Sequence, residues 1–166
     1  MPGNVYVGLM VSQGQRVTPA IPLPPNKPRT ALVLKPDAAP SLTPPITAPD
    51  DAGLIADATA NGWTVIQAGP RLLERGVMLS GPRENCPPSM LRQGQQVAIG
   101  ITAAGMLLFG FVQDETAANL ATRLRAAGAT DVMKCDGGGG VAHLSFGDIH
   151  CGTEQPQTVL LATPLA

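Results

Sequence analysis

Aromatic residues are scarce in this chain: Tyr6, Trp63, Phe109, Phe111 and Phe146 make up the 3% of its 166 residues that are aromatic. A core must therefore be assembled from Val, Leu, Ile, Ala and Met, packed closely with the help of glycine. Charge is also sparse. Only 14% of residues are charged and the formal net charge is −1. Nucleic-acid binding needs a clustered basic footprint, so no nucleic-acid partner is expected. Long apolar runs are missing too. The longest, VAIGITAAGMLLFGFV from Val97 to Val112, falls short of the roughly 20 residues that span a bilayer. Ala103-Ala104-Gly105 divides it into two strand-sized halves, which predicts a buried hairpin and no membrane partner. The opening MPGNVYVGLMVSQGQ has neither a basic leader nor a sustained apolar core, so no secretory signal is expected. The corresponding location is cytoplasmic, or within a virion or another assembly.

Cysteine is limited to Cys86, Cys135 and Cys151. An odd count suits a reducing compartment, where such residues are small buried hydrophobes or thiols. Adjacent strands carrying Cys135 and Cys151 would permit a disulfide, and the sequence leaves that open. Cys135, His143, His150 and Cys151 match no common ligand spacing, so neither a metal nor a cofactor is expected.

What is present is enough apolar material, 44% of residues, to bury one ordinary domain over residues 1–166. Ten of the 17 prolines fall between Thr18 and Pro49. Proline removes a ladder donor and fixes φ, so this stretch is neither helix nor central sheet apart from Arg29 to Lys35. Residues 18–50 read as an extended arm, able to dock on protein neighbours or to wrap its own domain. Strands are predicted over Val5 to Val11, Trp63 to Ala68, Asp131 to Cys135, Val141 to Phe146 and Thr158 to Ala162. A short helix is expected from Asp51 to Ala60. A clearer one runs from Glu115 to Ala127 with Asp114 as N-cap, because Ala117, Leu120, Ala121 and Leu124 share one face. These elements predict an α+β or α/β fold: one mixed sheet with one or two packed helices on one side.

The stretch KCDGGGGVAHLSF, residues 134–146, places one carboxylate before four glycines. Glycines let a backbone approach a ligand closely, and successive N–H groups can form a nest for phosphate. Asp136 beside such a nest could act as general acid or base, or bind sugar hydroxyls. The plain alternative is a turn that starts with aspartate. Neither the dinucleotide fingerprint nor the P-loop pattern is matched.

Five stretches in order, from Val5 to Pro164, resemble the phosphodiester glycosidase family, which includes an enzyme that removes N-acetylglucosamine from a phosphodiester on mannose. LATRLRAAGATDVMKCDGGGG is similar to the family's helix, turn and strand ending in Asp-Gly-Gly-Gly-Ser. IQAGPRLLERG fits its Gln-x-Gly-Pro-x-Leu segment, and VAIGITAAGMLLFGFV fits its Ala-Ile-Gly hairpin. GLMVSQGQ and TVLLATP resemble its early and last strands. Three departures stand beside these. The family's Asn-Gly-Gly-Phe-Phe-like motif has no counterpart here, Gln96-Val97 replaces Arg-Thr, and Gly140 replaces the serine after the glycines.

The resemblance implies a hydrolase acting on a sugar-1-phosphodiester or related glycosidic bond, with a sugar phosphate as ligand. Asp136 would be the catalytic carboxylate. Gly137, Gly138, Gly139 and Gly69 would supply the nest, and Arg92 or Arg71 the phosphate partner. Asp114, Asp131 and Asp148 are candidates for the second carboxylate that glycoside hydrolysis usually requires. The alternative is a catalytically inactive version of the fold, serving as a structural or binding component of a large assembly such as a virion decoration or tail-associated protein.

Overall fold

A computed structural model describes residues 9–17, 29–46, 48–80, 91–137, 144–146 and 149–151. The predicted strands over Val5 to Gly8 and Thr158 to Ala162, and most of the proline-rich arm ahead of Arg29, lie outside the described residues. The fold is α+β. Among the described residues the strands form two five-stranded antiparallel sheets and a separate two-stranded hairpin, not one mixed sheet, and two helices lie on opposite outer faces.

The first sheet holds β1 (Met10–Ser12), β2 (Gln15–Arg16), β3 (Ala31–Lys35), β4 (Ala38–Leu42) and β5 (Thr64–Gln67), in the order β2-β1-β5-β3-β4. Helix α1 (Ala48–Asn61) connects β4 to β5. The second sheet holds β6 (Arg71–Glu74), β7 (Val77–Met78), β8 (Gly94–Thr102), β9 (Leu107–Glu115) and β10 (Ala129–Gly137), in the order β7-β6-β10-β8-β9. Helix α2 (Ala117–Ala126) connects β9 to β10, and a small hairpin, β11 (Leu144–Phe146) and β12 (Ile149–Cys151), follows. The two orders are one topology used twice: hairpin, hairpin, helix, central strand.

Alternation along the strands builds the layers, because successive side chains point to opposite faces. Ala31, Val33 and Val65 turn outward onto α1, where they meet Ala58, Leu54 and Ile55. Ala98 and Val132 turn outward onto α2, where they meet Ala117, Leu120, Ala121 and Leu124. The opposite faces supply Leu32 from the first sheet and Ile99, Ile101 and Met133 from the second, which pack together between the sheets with Phe109 and Cys135 at their margin. The order of layers is helix, sheet, sheet, helix. Cys135 is a thiol rather than half of a disulfide.

The sequence periodicity foresaw the helical face of α2, but the cap differs. Strand β9 runs on through Asp114, whose φ is +58°, so the helix starts two residues later. Thr116 is the N-cap, with Oγ1 accepting the Asn119 N–H at 3.2 Å. Glu115 instead accepts from Arg123 at 2.6 Å, which raises the Arg123 pKa through that hydrogen bond and the charge attraction. Helix α2 can lie this close to β9 because Gly110 has no side chain. A Cβ there would stand 2.7 Å from Leu120 Cδ1 and 3.1 Å from Leu124 Cδ2.

The later part of the proline-rich stretch forms β4. It is an edge strand, the setting in which Pro40 removes no ladder bond the sheet requires. Polar locking in the first half comes from Gln67, 2% exposed. Its Oε1 accepts the Leu9 N–H at 2.9 Å, and its Nε2 donates to the Arg29 carbonyl at 3.4 Å and the Ile46 carbonyl at 3.2 Å. One amide thus ties β5 to both of its neighbours. Replacing it by Leu orphans the buried Leu9 N–H, while the Arg29 and Ile46 carbonyls keep the bonds they accept from each other's N–H. Gln67→Leu should therefore lower stability by about 1–3 kcal/mol, the cost of one unsatisfied buried group. Urea denaturation checks this: the midpoint should fall with an unchanged slope, and an unmoved midpoint would show the network to be dispensable.

Candidate functional site

The glycine corner begins at the last residues of β10. A bulge at Cys135 shifts the register by one residue, so Lys134 pairs with Ala98, Asp136 with Val97 and Gly137 with Gln96. Gly138 and Gly139, like Asp148, lie outside the described residues.

Gly69 reaches the same end of the second sheet from the other side. The chain leaves β5 and crosses to the second sheet through Gly69 and cis Pro70. The Gly69 N–H donates to the Lys134 carbonyl at 2.8 Å, and the Lys134 N–H donates to the Pro70 carbonyl at 2.9 Å. Gly69 is buried with φ +119°, a conformation that side-chain-bearing residues rarely adopt.

Arg92 stands in the exposed turn that enters β8, and its carbonyl accepts Gln96 Nε2 at 2.8 Å. That bond fixes the amide, leaving Gln96 Oε1 buried without a hydrogen-bond partner. Backbone pairing therefore gathers Asp136, Gly137 and Gly69 at one end of one sheet, and the Gln96 side chain ties the Arg92 carbonyl to the same end.

Arg71 belongs elsewhere. Its Cα pairs with Met133, and its guanidinium bonds Asp131 and, at 3.1 Å, Glu74. Only 11% of the Arg71 side chain is exposed. Asp131 is equally committed: Oδ1 also accepts the Arg75 N–H at 3.2 Å, and Oδ2 accepts Thr130 Oγ1 at 3.0 Å. This cluster lines a groove of about 330 Å³ whose opposite wall is Pro40, Ser41 and Pro44 of the first sheet. Asp131 lies five residues before Asp136 on the same strand, a separation of roughly 16 Å at 3.3 Å per residue. Asp114 is exposed on the edge strand β9. Neither carboxylate stands beside Asp136 as a second acid or base.

Two polar residues at the corner escaped selection as site residues. Lys134 is 1% exposed and Gln96 is fully buried. Their signal in the sequence was a polar residue set against an apolar run, Lys134 within VMKC and Gln96 directly before VAIG. Among the described residues no group of three or more His, Cys, Asp or Glu could hold a metal ion, and no helix is long and apolar enough to cross a membrane. The chain matches no protein-family model and no curated protein.

The ion cluster makes a stability prediction. Arg71→Met leaves two partly buried carboxylates without their shared cation, and should cost about 1–3 kcal/mol, below the range for fully buried pairs because both acids are partly solvated. Chemical denaturation measures it. A variant as stable as the parent would free Arg71 for a ligand-binding role instead.

Proposed function

We propose that the chain is a phosphodiester-glycosidase-type domain that binds a sugar phosphate at the glycine corner and hydrolyses a sugar-1-phosphodiester or a related glycosidic bond. The observation that carries this reading is the convergence of Asp136, Gly137, Gly69 and Arg92 at one end of the second sheet, from three separate stretches of chain. The family resemblance includes Asp136, Gly137 and Gly69 among its matched positions, while Arg92 stands outside its register. Backbone N–H groups of the corner would meet the phosphate, and Asp136 would serve as proton donor or acceptor at the glycosidic oxygen. Arg71 takes no part, because two carboxylates hold it at the groove.

Asp136→Asn tests the reading directly. With a phosphodiester joining N-acetylglucosamine to mannose as substrate, turnover should fall by about 10²–10⁴-fold, the usual contribution of a positioned acid or base. Turnover unchanged by the substitution would remove Asp136 from the mechanism.

A second reading, a catalytically inactive component of an assembly, is favoured by one observation. Strand β9 is a nine-residue edge with LLFGFV at its start, whereas its topological twin β4 carries Pro40. Among the described residues the β11–β12 hairpin lies beside it. Long apolar edges recruit further strands. If this reading holds, light scattering on the purified chain should report an oligomer that Phe111→Lys dissociates. A monomer at all concentrations would dismiss it.

A further inference from the structure

The two halves share one topology, so residues can be matched by their place in the hydrogen-bond ladder. The Gln67 N–H donates to the Leu9 carbonyl and the Lys134 N–H to the Pro70 carbonyl, so Gln67 matches Lys134. At the far ends of the same central strands Thr64 matches Asp131. There each half closes a turn in the same way. The Gly14 N–H donates to the Trp63 carbonyl, and the Gly76 N–H to the Thr130 carbonyl. The residues before these glycines, Gln13 and Arg75, have φ of +48° and +49°. Thr64 Oγ1 accepts the Gln13 N–H at 3.1 Å, and Asp131 Oδ1 accepts the Arg75 N–H at 3.2 Å.

The turn therefore requires no charge. A hydroxyl and an amide side chain suffice in the first half, where the second half has Asp131 and Arg75. Arg71 likewise stands where the first half has Met10. The edge strands differ beside these residues. Leu107 and Phe109 of β9 both pack against the layer between the sheets. Their matches on β4 are Pro40 and Leu42, and of these Leu42 packs there. Along β4 a groove of about 330 Å³ stays open, walled by Pro40, Leu42, Pro44 and Ile101 on its apolar side.

Three of the four charges in this groove hold one another, Arg71 bonding both Asp131 and Glu74. Arg75 is the fourth. Its backbone N–H is engaged, but among the described residues its guanidinium makes no hydrogen bond or ion pair, and the residue is exposed on the groove wall.

We infer that this groove is a ligand site separate from the glycine corner, and that it takes a small organic acid with one carboxylate and an apolar body. Arg75 offers the forked N–H donors that fit a carboxylate. Pro40, Leu42, Pro44 and Ile101 receive the apolar body. One uncommitted cation beside Asp131 and Glu74 selects a single negative charge, because a dianion would meet both carboxylates at close range. The volume lies at the lower end of the roughly 300–1,000 Å³ of ligand pockets, so the acid is a small one. The sugar phosphate proposed for the glycine corner has a polar body and a more highly charged head, so the two sites take different ligands.

Titration with phenylacetate, followed by ¹H–¹⁵N correlation spectra, tests this. Saturable shifts are expected at Arg75, Gly76 and Asp131, with Gly69 and Gly137 unmoved. Acetate lacks the apolar body and 2-phenylethanol lacks the charge, so each should bind at least about tenfold more weakly. Arg75→Gln installs the residue that the first half holds at the same φ, so the turn is kept while the charge is lost. It should weaken phenylacetate by about tenfold or more. Pro44→Phe, a substitution at an exposed position of the wall, should weaken it by filling the groove. Undiminished binding by either variant overturns the inference, as does acetate or 2-phenylethanol binding as tightly as phenylacetate. No saturable shift with millimolar phenylacetate overturns it too, and leaves the reading of the glycine corner to its own substrate.

Discussion

Leu32 of one sheet and Ile99, Ile101 and Met133 of the other form the layer against which everything else is arranged. A sheet whose two faces are both apolar must be covered twice. Here each sheet covers the other on the inside and takes a helix on the outside. The aromatic-poor composition follows from this demand, since three closely spaced apolar layers are filled by small and branched aliphatic side chains. Gly110 is the sharpest case, where the helix reaches the strand only because no Cβ intervenes. The same constraint restricts where polar groups can stand. Among the described residues the buried polar side chains are few: Thr30, Asp51, Gln67, Gln96, Thr102 and Lys134.

The two halves differ at the ends of their central strands. Gln67 closes the first half with an amide matched on both its oxygen and its nitrogen, which is what a purely structural position requires. At the matching position the second half carries a charge, and the chain continues into a bulge and the glycine run. The Arg71–Asp131–Glu74 cluster resembles a site in composition but behaves as a structural clamp, because the groups facing the groove already hold one another.

Local pattern made some of this legible. The hairpin around Ala103-Ala104-Gly105 and the face of α2 follow from alternation and from 3.6-residue spacing, and both stand where the sequence places them. The duplication was hidden because equivalent strands share little: TVIQ of β5 matches DVMK of β10 in one residue only. Period and propensity also say nothing about which strands share a sheet, so one sheet was expected where there are two. The prolines pointed away from central sheet, and β4 is indeed at an edge. At the site, the Gly69 and Asp136 stretches carried visible motifs. The commitment of Arg71 to Asp131, sixty positions away, could not be read from either neighbourhood, and Lys134 was masked by the apolar run around it.

The central claim is that a sugar phosphate binds where β10, β8 and the Gly69 crossing end together. A ¹H–¹⁵N correlation spectrum recorded during titration with N-acetylglucosamine 1-phosphate tests it most directly. The account predicts saturable shifts concentrated at Gly69, Gln96, Asp136 and Gly137, with Arg71, Arg75 and Asp131 unmoved. Shifts centred on the Arg71 groove, or none at all at millimolar ligand, would contradict it.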